Sequence, residues 1–274
     1  MIALAVLAFG FYKTLTWHRL PAAIDWVLFP DRYYHRDYQG IRLDQTPVPC
    51  PEGALVIVTG GQSNAANSVS EPDSANHNVP AFQWFEGQCF PLSDPLIGLT
   101  DSRGSLWTAL GHEIAATQPV VFINSAVGAT SYRAWLDRRS GFLARLETSV
   151  ESARLAGLPP KLILWHQGES DGGRNDVRSE YRSDLKKLTS YFSKMAPEAT
   201  TILYQASICG NHPPVESLRQ AQADVAQAYH SIILGPDTDK IDDSGRVDQC
   251  HFNALGRALI VEQTLDLLQQ ENLL

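Results

Sequence analysis

Apolar residues fall into two rhythms along most of this chain. From Ala54 onward, short unbroken apolar runs alternate with longer stretches in which apolar residues return every three or four positions. The runs are Ala54–Val58, Val120–Asn124, Lys161–Trp165, Thr201–Gln205 and Ser231–Leu234. Runs of this length without polar alternation predict strands buried on both faces, as in a parallel sheet. The periodic stretches are Gly104–Thr117, Phe142–Ala156, Tyr181–Met195, Val215–Tyr229 and Ala254–Gln270. In the third of these, Tyr181, Leu185, Leu188, Phe192 and Met195 share one helix face. Strand and helix in turn predict an α/β fold: a doubly wound, flavodoxin-like three-layer sandwich with a mainly parallel five-stranded sheet.

The chain before Ala54 follows neither rhythm. Residues 1–12 are nearly all apolar, and Lys13, His18 and Arg19 follow. That run is shorter than the ~20 residues of a membrane span and matches the apolar part of an export signal. It has no positive flank before it and no clear cleavage pattern. The charges beyond it favour keeping that side in the cytoplasm. An export signal, a short anchor and a helix packed on the domain all remain open. Residues 21–52 interleave prolines with Trp26, Phe29, Tyr33, Tyr34 and Tyr38, and predict an irregular extension. The expected organisation is therefore a signal- or anchor-like segment over 1–20, the extension over 21–52, and one catalytic domain over 53–274.

Composition narrows the partners. The 274 residues are 44% hydrophobic and carry a net charge of −8, so a full-sized core is affordable and no basic stripe offers itself to nucleic acid. The N-terminal segment is the one part that suggests contact with a membrane. An extracytoplasmic location is expected, with a cytoplasmic one as the alternative.

In open α/β sheets, ligands bind beyond the carboxyl ends of the strands. Those ends carry the unusual residues here. The first strand runs into Gly60-Gly61-Gln62-Ser63-Asn64, the second into Asn124-Ser125-Ala126-Val127-Gly128, and the third into His166-Gln167-Gly168-Glu169-Ser170-Asp171. A polar loop after the fifth strand holds Asp248-Gln249-Cys250-His251. A serine placed just after a strand, near a helix amino end, is where an acyl-transfer anion can be stabilised. The same serine can also be a plain helix cap.

Taken together and in this order, Gly61-Gln62-Ser63-Asn64, Gly128, Trp165 to Asp171 and Asp248-x-x-His251 resemble the SGNH (GDSL-type) hydrolase superfamily. The nearest branch is the sialate O-acetylesterase-like carbohydrate esterases, with acetylxylan esterase relatives. The similarity spans about residues 54–270. The wider superfamily has asparagine in its third block, whereas this chain has Gln167, as that branch does.

The resemblance implies a serine esterase that removes acetyl or other small acyl groups from an acetylated carbohydrate. Ser63 would be the nucleophile, His251 its base and Asp248 the group that orients the imidazole. The order Ser, Asp, His is that of other parallel-sheet hydrolases. Alone, Asp248 reads as a turn-former and His251 as a cap. The Ser63 and Gly128 N–H groups and the Gln167 amide would face the oxyanion, although Gly128 also reads as a loop glycine and Gln167 as a surface amide. Asn64, Glu169 and Asp171 would support these loops. Arg133 and Trp135 read as a solvated cation and a packed ring before they read as sugar contacts. The long stretch Ser68–Arg103, with Asn67 just before it, holds Asn76, His77, Asn78 and Trp84, and each of the five is equally a sugar contact or a loop residue. A thioesterase, lipase-like esterase or acyltransferase on the same residues is an alternative, as is a non-catalytic glycan-binding domain.

No cofactor or metal is called for. His112-Glu113 lacks the second histidine of a zinc helix, the aspartates from Asp237 to Asp243 miss the calcium-loop spacing, and Gly60-Gly61 lacks a phosphate-loop lysine. The four cysteines allow two disulfides. Cys209 follows the fourth strand, beside the loop of Cys250 in a doubly wound order. Cys209–Cys250 and Cys50–Cys89 are the expected pairs, with four reduced thiols as the alternative.

Overall fold

The computed structural model describes residues 45–73, 79–172 and 178–274. The expected segment over 1–20 and most of the extension over 21–52 lie outside the described residues, as do Asn76, His77 and Asn78.

The strands are β1 (Leu55–Gly61), β2 (Ala81–Phe85), β3 (Gln88–Pro91), β4 (Val120–Asn124), β5 (Leu162–His166), β6 (Thr200–Gln205) and β7 (Ile232–Asp237). They form one sheet in the order β3-β2-β4-β1-β5-β6-β7. Only the β2–β3 pair is antiparallel. The five expected strands are all present, but the sheet has seven, because a hairpin lies inside the stretch read as loop. Glu86 and Gly87, at φ 46° and 85°, make its tight turn. Two successive residues in the left-handed region match the twist of a hairpin. Without the hairpin the parallel order is β4-β1-β5-β6-β7, the 2-1-3-4-5 order of flavodoxin-like folds.

The helices are α1 (Leu106–Ile114), α2 (Tyr132–Leu136), α3 (Phe142–Leu155), α4 (Glu169–Gly172), α5 (Arg178–Met195), α6 (Glu216–Ala228) and α7 (Ala254–Gln270). The strands are apolar throughout because they bury both faces. On β1, Val56 and Val58 face one core with Leu146 and Val150 of α3, Leu185 and Leu188 of α5 and Leu218 and Val225 of α6. Ile57 faces the other, with Leu106 and Leu110 of α1 and Ile260 and Leu268 of α7. Ser105 caps α1 by accepting from Trp107 N–H, and Asn253 caps α7 by accepting from Gly256 N–H.

Each margin of the sheet is interrupted in its own way. β3 has four residues, ends in Pro91, and meets Val48 on its outer side. Cys50–Cys89 ties it to the chain before β1, with Cα atoms 5.3 Å apart. At the other margin β7 contains Gly235-Pro236.

The chain reverses its winding at β1, whose neighbours are β4 and β5. The crevice between the β1 and β5 carboxyl ends is therefore the expected binding place. Gly61 and His166 are register partners there.

Candidate active site

Two glycines bring β1 to its turn. A Cβ on Gly60 would fall 2.5 Å from the Trp165 ring, and one on Gly61, at φ 129°, 1.9 Å from the His166 carbonyl oxygen. Only glycine allows the strands to approach this closely. Gln62 N–H then donates to that carbonyl at 3.2 Å, and Ser63 opens a single helical turn over Ser63–Ala65. As the first residue of a turn, Ser63 has no intrahelical acceptor for its N–H.

The other half of the site arrives 188 residues later in the chain, where His251 Nε2 lies 3.0 Å from Ser63 Oγ. Its Nδ1 lies 2.8 Å from Asp248 Oδ2. An ionised carboxylate only accepts, so Nδ1 carries the proton and Nε2 is free to accept from the serine hydroxyl. Partial burial pushes the Asp248 carboxyl up. The hydrogen bonds from the His251 ring, His251 N–H and Cys250 N–H outweigh this and hold it below the ordinary aspartate range. The structure thus brings together the three residues that the motifs single out.

That loop is held from several sides. Cys209–Cys250 joins it to the chain after β6, with Cα atoms 4.1 Å apart. Both expected disulfides are present. The Cys250 carbonyl accepts from Asn64 Nδ2 at 3.1 Å and from the Arg246 guanidinium. Arg246 also donates to the Ile241 and Thr238 carbonyls, at 3.0 and 2.7 Å, and lies over the Phe252 ring. Nothing in the sequence pattern singles out Arg246.

Asn64 and Glu169 meet behind the nucleophile. Asn64 Nδ2 donates to Glu169 Oε1 at 3.0 Å, so one amide links the turn of Ser63, the start of α4 and the loop of His251. His166, fully buried, lies 3.4 Å from Glu169 Oε1 through Nδ1 and 3.0 Å from Thr238 Oγ1 through Nε2. Burial pushes its imidazole down, against the pull of Glu169.

The expected oxyanion groups are placed differently from one another. Gly128 follows β4 and reaches the nucleophile: a Cβ on it would lie 3.8 Å from Ser63 Cβ. Its N–H donates to Thr100 Oγ1 at 2.7 Å. Gln167 departs from the expectation of an amide aimed at the oxyanion. It is buried, and Nε2 donates to Thr130 O at 3.2 Å and, more weakly, to Asp171 Oδ2 at 3.4 Å. One hydrogen is engaged by the turn that carries Gly128 and the other by Asp171 on α4.

Of the side chains considered as sugar contacts, Trp135, Trp84 and Asn67 are buried and Arg133 is at the surface. Trp135 is fully buried, meets the Trp165 ring edge to face and donates to Thr130 Oγ1. Arg133 pairs with Glu180 at the surface. Trp84 is buried and donates to Ser152, and Asn67 is completely buried. Among the described residues, no cluster of three or more His, Cys, Asp or Glu side chains is placed to hold a metal ion. No helix among them is long and apolar enough to cross a membrane.

Comparison with known proteins gives the same direction. The family model for the carbohydrate esterases described as sialic acid-specific acetylesterases matches residues 55–264. No curated protein matches the chain. Among solved structures, a protein from Arabidopsis thaliana superposes with a TM-score of 0.63 at 15% identity, covering 83% of this chain and 99% of that one. A carbohydrate acetylesterase from Xanthomonas citri gives 0.54 at 16%, covering 78% of this chain and 55% of that one. A carbohydrate esterase family 2 enzyme with a carbohydrate-binding domain, from Myceliophthora fergusii, gives 0.53 at 10%, covering 82% and 68%. At such identities the likeness is one of fold.

Proposed function

This chain belongs to the sialic acid-specific acetylesterase family of carbohydrate esterases, of the SGNH hydrolase type, and on that premise we propose that it removes acetyl groups from a carbohydrate through an acyl-enzyme on Ser63. The observation that carries this reading is the continuous chain from Ser63 Oγ to His251 Nε2 at 3.0 Å and from His251 Nδ1 to Asp248 at 2.8 Å, at the carboxyl edge of β1.

The steps follow from those atoms. Ser63 Oγ attacks the acetyl carbonyl carbon as its proton passes to His251 Nε2. Asp248, held ionised, steadies the imidazolium that forms. The carbonyl oxygen becomes an anion beside the Ser63 N–H and the Gly128 turn. When the tetrahedral centre collapses, the bond to the sugar oxygen breaks and that oxygen takes the proton from His251. Water then gives a proton to His251 and attacks the acetyl-serine, and acetate leaves as Ser63 recovers its hydrogen.

Residues 53–274 are the catalytic unit in this reading, which the family match to 55–264 supports. The two disulfides support an oxidising, extracytoplasmic place of work.

The test is acetate release from p-nitrophenyl acetate and from O-acetylated sugars. Ser63→Ala is expected to lose at least about 10⁴-fold in kcat while its melting curve stays in place. Activity retained within tenfold of the wild type would overturn the assignment of the nucleophile.

A further inference from the structure

One polar side chain at the site belongs to none of the motifs. Thr100 Oγ1 accepts the Gly128 N–H at 2.7 Å, and nothing among the described residues accepts the hydroxyl's own hydrogen. The position a Gly128 Cβ would take is 3.0 Å from this oxygen and 3.8 Å from Ser63 Cβ, so the Thr100 and Ser63 side chains flank the same point. Thr100, Gly128, Ser63 and His251 are all partly accessible, whereas Gln167 is buried.

The loop that delivers Thr100 is fixed from below. Buried Asn67 donates to Leu96 O at 2.9 Å and accepts from Leu96 N–H at 2.8 Å, while its own N–H donates to Thr100 O at 3.1 Å. Ser68 Oγ donates to Asp101 Oδ2 at 2.6 Å. Arg145, buried on α3, reaches the carbonyls of Gly98 and Ser125 at 3.4 and 3.3 Å and so spans the loops of Thr100 and Gly128. Three separate anchors hold a loop whose backbone turns through left-handed conformations at Gly98 and Asp101.

We propose that Thr100 is a catalytic residue: its hydroxyl accepts the Gly128 N–H behind it and donates its own hydrogen to the ester oxygen as that oxygen becomes an anion. A hydroxyl that is already accepting is a better donor, because each bond polarises the next. The Gly128 dipole thus acts through Thr100 instead of directly. This arrangement supplies the donor that Gln167, engaged with Thr130 and Asp171, leaves missing. It rests on the Ser63 reading above.

Thr100→Val keeps the shape and removes the hydroxyl, whereas Thr100→Ser keeps the hydroxyl. With p-nitrophenyl acetate and an O-acetylated sugar, the valine variant is expected to lose about 100-fold in kcat with KM within about threefold, and the serine variant to stay within about threefold in both. Phenylboronic acid, which forms a tetrahedral adduct on an active serine, should bind the valine variant more weakly in proportion to its loss in kcat/KM. Melting curves check the fold, and Thr100→Ala carries the comparison if valine does not fold. Thr100 is overturned if the variant without hydroxyl matches or exceeds the wild type, or if serine falls as far as valine. An active Ser63→Ala would sink the nucleophile instead, and so the two failures are distinguishable.

Discussion

Position 61 shows how little freedom the nucleophile turn leaves. Its φ of 129° and the 1.9 Å approach to His166 O make Gly61→Ala both strained and sterically blocked. Gly53, at φ 68°, has open space around the same point. Chemical denaturation should separate the two substitutions. Gly53→Ala is expected to cost about 1 kcal/mol through strain alone, and Gly61→Ala more than about 3 kcal/mol or all soluble protein. Equal losses would mean that backbone strain alone decides. At this scale the sequence is readable where chemistry concentrates in short motifs. Ser63, Asp248 and His251 stand in such motifs, and the fold joins them. Thr100 and Arg246 stand in loops without periodicity, and only tertiary packing gives them their partners.

The two disulfides belong to different elements and predict different losses. Cys50–Cys89 ties the hairpin to the chain before β1, and Cys209–Cys250 ties the loop of His251 to the exit of β6. They span 39 and 41 residues, so loop entropy gives each about 4 kcal/mol. Cys50→Ser with Cys89→Ser should lower the melting temperature and leave kcat near the wild type. Cys209→Ser with Cys250→Ser should lower both. Paired thermal melts and esterase assays check this, and unchanged kcat in the second pair would show that Asn64 and Arg246 hold the loop unaided. The five core strands and five long helices were readable because burial on two faces or one imposes an apolar rhythm over many residues. The β2–β3 hairpin escaped that rhythm because Ala81–Phe85 and Gln88–Pro91 are too short to establish it. Its Glu86-Gly87 turn was the available signal. The five-residue α2 and four-residue α4 are likewise below the length at which a period shows.

For the molecule as a whole, acid should act through a histidine that the chemistry does not use. Burial holds the His166 imidazole below its ordinary value. Unfolded, it takes a proton near pH 6.5; folded, only at lower pH. Between the two values the unfolded chain binds more protons, so stability falls as pH falls, by at most about 1.4 kcal/mol per unit. Denaturation of the wild type and His166→Gln at pH 7.5, 6.5 and 5.5 should show the wild type losing the larger share over this window. Parallel slopes would place the acid sensitivity elsewhere. Whatever the pH, the sheet ends poorly on both sides. One margin is four residues long, stapled by a disulfide and met by Val48; the other runs into a proline. A strand from a second molecule finds few free amides to zip onto at either margin. Crowded copies of this chain thereby meet an obstacle on the simplest route to fibrils, beyond the repulsion that a net charge of −8 supplies.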